Sequence, residues 1–201
     1  TAINIKDSSK FSLPDTYGGD YPGFGNFSKK NGLMNLQYDY DLLSGNWNTI
    51  KLTSIKKNDQ QQSKETIDMI TQGGLYIRDL GYITPTYLKA VIKKEASFLN
   101  RAPANGSIYT LDKGPVDWLD IDRKFNKTGM DALEIEVLVY KKERIECRLV
   151  IERLGDDEYK KRLKYAEDSA KSRKVGLSKT HKLKCRYLSL IHISEPTRHE
   201  S

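Results

Sequence analysis

The chain has 201 residues, 37% of them hydrophobic and 30% charged, with a formal net charge of +7, which suits one substantial core, or one core with a smaller appendage, in a globular protein. No apolar run is long enough to cross a bilayer and no basic-then-apolar leader opens the chain, so a cytoplasmic protein is expected. Cys147 and Cys185 stand apart from each other and from any Cys/His cluster, a spacing that supports neither a zinc site nor a disulfide framework.

Residues 2–6 read as a strand that delivers Asp7, and the Gly-, Pro- and Asp-rich text of 11–32 reads as a long loop. Over 33–42, Met34, Leu36, Tyr38 and Tyr40 alternate with Asn35, Gln37, Asp39 and Asp41. Ser44-Gly45-Asn46 turns the chain, and Ile50 and Leu52 mark a partner strand over 47–55. Polar residues 56–62 lead to a helix predicted over 63–72, with Ile67 and Ile70 inward and Gly73-Gly74 as its stop. Residues 75–78 form a short strand delivering Asp79. Thr84-Pro85 has the form of an N-cap with proline at the first helical position, and Tyr87, Leu88, Val91, Ile92 and Glu95 follow at helical spacing. A further strand is expected over 96–100. Three strands, then helix, strand, helix, strand, suit a mixed sheet with helices on its faces.

After Arg101 the pattern changes. A strand is expected over 107–110. Leu133, Ile135, Val137 and Val139 then alternate, as do Ile145, Cys147, Leu149 and Ile151 beyond the turn near Lys141-Lys142-Glu143, which predicts an antiparallel β insertion. From Asp156 onward Tyr159, Leu163, Ala166 and Ala170 make a helical stripe that ends near Gly176. Between Lys160 and Arg186 eleven Lys or Arg face only Glu167 and Asp168, so the positive excess of this stretch exceeds that of the whole chain. Two readings are open: a solvated helix face, or a surface for a polyanion whose counterions clustered cations release.

Asp7 and Asp79 each end a short apolar run. Side by side on neighbouring strands, two carboxylates repel each other, and hard divalent cations with oxygen ligands relieve that repulsion. Taken alone, Asp7 also reads as a turn-forming aspartate, and Asp39, Asp41 and Asp59 read as solvated or turn residues.

Five pieces of text occur in a fixed order: Asp7-Ser8-Ser9 with Phe11-Ser12-Leu13-Pro14; Tyr21-Pro22-Gly23; Gln37-Tyr38-Asp39-Tyr40-Asp41-Leu42-Leu43-Ser44-Gly45; Asn58-Asp59-Gln60; and Arg78-Asp79-Leu80-Gly81-Tyr82. In that order they resemble the DDE transposases of IS4-like bacterial insertion sequences, from about Ile3 to about Tyr187. The resemblance implies an α/β, ribonuclease-H-like mixed sheet flanked by helices, with an antiparallel β insertion after the second catalytic aspartate. It makes Asp7 and Asp79 the first two catalytic and metal-binding residues, with two Mg²⁺ (or Mn²⁺) ions expected in the complete enzyme and Tyr82 steadying the Asp79 loop. It implies hydrolysis and strand transfer at transposon ends, with double-stranded DNA as partner, a homodimer on DNA and no membrane. Arg101 and the helix cations Lys160, Lys161, Arg162, Lys164, Lys171, Arg173 and Lys174 become the DNA-binding candidates.

The same resemblance implies an N-terminal DNA-recognition region and, on a late helix, a third catalytic glutamate preceded by tyrosine and arginine and followed by lysine. No such pattern occurs in this chain. Glu158, in Asp156-Asp157-Glu158, lacks the flanking residues and is not assigned the role. Leu188-Ser189-Leu190-Ile191-His192-Ile193-Ser194-Glu195-Pro196-Thr197-Arg198 resembles the in-frame translation of a library-sequencing adapter. The expected organisation is therefore a catalytic core over 1–101, a β-rich insertion over 102–155, a basic helical segment leading back to the core over 156–187, and an adapter-derived artefact over 188–201. The expected function is a truncated, largely inactive transposase catalytic domain. The alternatives are a non-catalytic DNA-binding or inhibitory transposase fragment, or a ribonuclease-H-like nuclease outside transposition.

Overall fold

The structure, a computed structural model, describes residues 2–23, 32–55, 63–102, 108–112 and 114–192; the Asn58-Asp59-Gln60 motif and residues 193–201 lie outside them. The chain divides into two compact units, whose described residues are 2–101 and 102–192.

The first unit is a five-stranded mixed sheet. Strands β1 (Ile3–Leu13), β2 (Gly32–Asp41) and β3 (Asn46–Ser54) form an antiparallel meander, and β4 (Leu75–Arg78) and β5 (Ser97–Arg101) add in parallel on the other side of β1, giving the order β3-β2-β1-β4-β5. Helix α1 (Pro85–Lys93) connects β4 to β5. Its start follows the sequence: the Thr84 hydroxyl accepts a 3.1 Å bond from the Tyr87 amide and Pro85 occupies the first turn, where a missing N–H costs nothing. The result is the mixed α/β, ribonuclease-H-like fold that the resemblance implied.

Three expectations for this unit are corrected. Strand β1 does not stop at Lys6: it runs on to Leu13, with partners in β2 from Asn4↔Asp41 to Leu13↔Gly32, whereas its parallel pairing with β4 ends at Lys6↔Arg78. Asp7 therefore lies within a strand, at the point where one of its two neighbours leaves. The predicted helix over 63–72 is a single helical turn, 63–65, followed by turns. Its amides bond three residues back, as from Thr66 to Ser63 and from Ile70 to Ile67, and the Lys94 ammonium gathers the carbonyls of Ile67, Asp68 and Ile70 at 2.9, 3.2 and 3.1 Å. A cation that satisfies three carbonyls at once replaces helical bonding there.

The third correction concerns which stripe faces the core. In β2 the polar residues Asn35, Gln37 and Asp39 are the buried ones, whereas Met34, Leu36, Tyr38 and Tyr40 are only half-buried, and Trp47, Ile50 and Leu52 of β3 are exposed. Asp39, expected to be solvated, is 4% exposed. The reason lies in what covers that face: Tyr82, Tyr87 and Thr66, from the segments that follow β3 and β4, all reach polar partners on it. Asp41 keeps its turn role, its carboxylate accepting from the amides of Ile3 and Leu43, each at 3.1 Å.

The second unit is an antiparallel sheet of four strands in the order β9-β8-β7-β6, namely β6 (Ile108–Tyr109), β7 (Ala132–Val139), β8 (Ile145–Arg153) and β9 (Tyr187–His192), with helices α2 (Trp118–Thr128), α3 (Asp156–Ser172) and α4 (Lys179–Lys184). Helix α2 was not anticipated in a stretch expected to be β-rich. Its text nonetheless contains an Asp117 cap accepting from the Leu119 amide at 2.9 Å, a buried stripe of Trp118, Ile121 and Phe125, and a left-handed stop at Gly129 with φ 66°. The core is dry: Val137, Val139, Ile145, Leu149, Ile151 and Ile191 are buried, and Tyr187 packs its ring against Phe125 at 5.1 Å. Residues 188–192, read from the sequence as part of an adapter-derived stretch, pair with β8 in the register Leu149↔Ile191. Their β-prone Leu and Ile supply the free edge of β8 with the apolar partner it requires.

Candidate active site

The two aspartates are placed by strand register. Lys6 pairs with Arg78, and Arg78 pairs with Asn100. One residue further on come Asp7 within β1, Asp79 just past the end of β4 and Arg101 at the end of β5, all three exposed; in β1 and β5 the alternation of a strand puts Asp7 and Arg101 on the face opposite Lys6 and Asn100. Tyr38 of β2, the register partner of Asp7, donates its hydroxyl to Asp7 Oδ2 at 3.2 Å, while Asp7 Oδ1 accepts from the Ser8 amide at 2.8 Å. Burial first, and then the charge of Asp7, raise the Tyr38 phenol above its ordinary value, so it remains a donor.

Asp79 has no strand partner of its own. It caps a short 3₁₀ turn, Leu80–Tyr82, in which the Tyr82 amide bonds back to the Asp79 carbonyl at 3.0 Å. Tyr82 is 1% exposed, and its hydroxyl donates to Gln37 Oε1 at 2.5 Å. That bond ties the Asp79 loop to β2.

Beneath these carboxylates runs a buried polar row. Asp39, Lys6, Arg78 and Asn100 are register neighbours on four adjacent strands, and all are buried. The Arg78 guanidinium lies over the Tyr87 ring at 4.1 Å, donates to Thr66 Oγ1 at 2.9 Å and stands 4.0 Å from Asp39. Burial pulls its pKa down from the ordinary value, with Tyr87 and Asp39 acting the other way. Asn100 Nδ2 donates to the Arg78 carbonyl at 2.7 Å. A pocket of about 260 Å³ lined by Asn4, Asp39, Asn48, Tyr76 and Arg78 opens onto one end of the row.

This row was missed in the sequence because polar residues in strands read as solvent-facing. The available signal was the repeated pair of a cation followed by an aspartate, Lys6-Asp7 and Arg78-Asp79.

The remaining cation candidates lie in the second unit. Lys160, Lys161, Lys164 and Lys171 are exposed on α3, as is Lys174 just beyond it. Arg162 is half-buried, pairing with Glu158 at 3.5 Å and donating to the Tyr187 carbonyl at 3.3 Å, and Arg173 folds back on Ser169. These two arginines are occupied within the fold.

The Transposase DDE domain family matches residues 2–189. The chain belongs to that family. It is 28% identical to the transposase of insertion sequence IS231F from Bacillus thuringiensis subsp. israelensis, over 90% of this chain and 41% of that protein. It is 27% identical to the transposase of IS231B from B. thuringiensis subsp. berliner, over 81% of this chain and 37% of that protein. To the transposase of IS1151 from Clostridium perfringens it is 24% identical, over 88% of this chain and 40% of that protein. The chain thus spans about two fifths of the length of these relatives. None of the helices among the described residues is long and apolar enough to cross a membrane.

Members of this DDE family generally use divalent metal ions. The donor chemistry of this site fits such ions: Asp7 and Asp79 are exposed oxygen donors, each one residue beyond the Lys6↔Arg78 pair, and the hydrogen bonds from Tyr38 and Ser8 leave lone pairs on Asp7 free for a hard cation. Among the described residues no group of three or more His, Cys, Asp or Glu forms a ready ligand set.

Proposed function

We propose that this chain carries the first two acidic residues of a transposase active site that performs metal-dependent phosphoryl transfer at the ends of transposon DNA. The observation that supports this reading is the shared position of Asp7 and Asp79, each one residue beyond the Lys6↔Arg78 pair. Asp7 and Asp79 would hold Mg²⁺ or Mn²⁺. When bound, the metal supplies an activated oxygen nucleophile and charge stabilisation of the leaving oxygen.

The chain's own residues do the rest. Tyr38 fixes the rotamer of Asp7, and the Leu80–Tyr82 turn fixes the direction in which Asp79 leaves the sheet. Arg101, one strand further, is set to meet a backbone phosphate beside the carboxylates. Lys160, Lys161, Lys164, Lys171 and Lys174 would track double-stranded DNA through counterion release. Paired ends would be held by a homodimer.

With no group of three or more His, Cys, Asp or Glu gathered among the described residues, the chain by itself is expected to nick transposon-end DNA slowly or not at all. The test is Mn²⁺ binding followed by electron paramagnetic resonance. Asp7→Ala and Asp79→Ala should each weaken binding at least about tenfold. Unchanged affinity in both variants would overturn the site assignment. Robust Mg²⁺-dependent nicking that disappears in Asp79→Ala would show instead that a third ligand is present in this chain.

A further inference from the structure

We propose that Asn100 and Arg78 are positioning residues for Asp79, a role that rests on the reading of Asp79 as a metal ligand. Strand β4 ends at Arg78, so no ladder bond holds Asp79 itself. Its place depends on the peptide before it and the turn after it.

The peptide before it is the Arg78–Asp79 unit. Its carbonyl is gripped by Asn100 Nδ2 at 2.7 Å, from a residue 2% exposed. The side chain of the same Arg78 is held on three sides: by the Tyr87 ring at 4.1 Å, by Thr66 Oγ1 at 2.9 Å and by Asp39 at 4.0 Å. The turn after Asp79 is closed by the Tyr82 amide and fixed to β2 through Gln37. Asp79 is thus suspended between two anchored peptides.

Stability alone does not account for this device. Replacing a buried ion pair by apolar residues of similar volume is often neutral or stabilising, and a buried amide or guanidinium is costly wherever a lone pair or N–H lacks a partner. Asn100 Oδ1 and Arg78 Nε have no hydrogen-bond partner among the described residues. What the row provides is direction. A carboxylate displaced by about 1 Å from its productive geometry loses on the order of 10²-fold in rate, and partners one shell outside a metal commonly change its affinity by about 10- to 100-fold.

The experiment uses the whole chain and Mn²⁺ alone as probe, with thermal unfolding and amide hydrogen exchange of residues 80–82 measured in parallel. Asn100→Leu removes the grip on the Arg78 carbonyl in an isosteric way. The expected result is Mn²⁺ affinity lowered about tenfold and faster exchange over 80–82, both beyond what the modest drop in unfolding temperature from one lost buried hydrogen bond accounts for. If that variant does not fold, Thr66→Val, which removes one anchor of the Arg78 side chain, should show the same split to a smaller extent. Wild-type Mn²⁺ affinity in a folded variant, while Asp79→Ala abolishes binding, would overturn the positioning role and leave the site assignment standing. Unchanged affinity in Asp79→Ala would remove both.

Discussion

The two units bury different chemistry in their sheets. Asn4, Lys6, Asn35, Gln37, Asp39, Thr53, Arg78 and Asn100, all buried, lie on the strands of the first unit, and no residue of the second appears among the buried polar or charged side chains described. The second unit closes on Val137, Val139, Ile145, Leu149, Ile151 and Phe125. Burying polar groups costs free energy unless each is paired, so a sheet that keeps several of them is constrained by more than stability. In the first unit that constraint coincides with Asp7 and Asp79, which sit one residue beyond the polar row.

Paired substitutions break this comparison most sharply. Phe125→Ala, in the dry core, is expected to cost about 3–5 kcal/mol through lost burial and a residual cavity. Arg78→Met should cost a similar amount for a different reason, because it takes away the buried guanidinium 4.0 Å from the buried Asp39 carboxylate. The two differ in rescue: adding Asp39→Asn to Arg78→Met should recover most of the loss, whereas no distant charge change rescues Phe125→Ala. Chemical denaturation of the three variants decides the matter, and an Arg78→Met protein as stable as the parent would show the polar row to be hydrated rather than buried.

A smaller effect is expected from Tyr82→Phe, which deletes one hydroxyl and takes from Gln37 Oε1 its 2.5 Å donor. The loss should be about 1–3 kcal/mol, with faster amide exchange in the Leu80–Tyr82 turn. Loss of stability without any change in exchange there would mean that the tie to β2 does not steady the Asp79 loop.

These residues also mark where the sequence was legible. Period-two alternation located β2, β3, β7 and β8, and Thr84-Pro85 located α1, because caps and alternation are local signals. Which stripe of β2 faces the core was not local. It depended on Tyr82, Tyr87 and Thr66 arriving from later segments, so Asn35, Gln37 and Asp39 read as solvent-facing when they are not. Helix α2 was lost in a stretch whose neighbours spoke for strands, although Asp117, Trp118, Ile121, Phe125 and Gly129 supplied cap, stripe and stop. Asp7 and Asp79 were singled out first by the short apolar runs they follow and then by the order of motifs around them. The Lys6–Arg78–Asn100 row carries no period at all, since it exists only across strands.

Alkali probes the dry core of the second unit. Burial first, and then the charge of Glu146, push the Cys147 thiol up to about 12. A pKa raised in the folded state contributes stability that is full below the unfolded thiol's value of about 8.5 and is lost as pH rises toward the folded one. About one pH unit above the unfolded value the loss should be on the order of 1 kcal/mol. Cys147→Ala should flatten this part of the stability profile, and an unchanged alkaline slope would show that the thiol already titrates freely in the folded chain.

The smallest effect is expected on the outer face of the same sheet, where Arg148 Nη1 meets Glu134 Oε1 at 2.6 Å with side chains 36% and 48% exposed. A pair open to water to this extent is screened and gains little from proximity, so Glu134→Gln should change stability by less than about 1 kcal/mol. That small change should shrink further at high salt, because screening already removes most of the attraction. Unfolding temperatures at low and high ionic strength measure both. A larger, salt-insensitive loss would mean that this face is shielded from solvent, and the contrast between a unit that buries whole polar side chains in its sheet and one that does not would then fail at its simplest point.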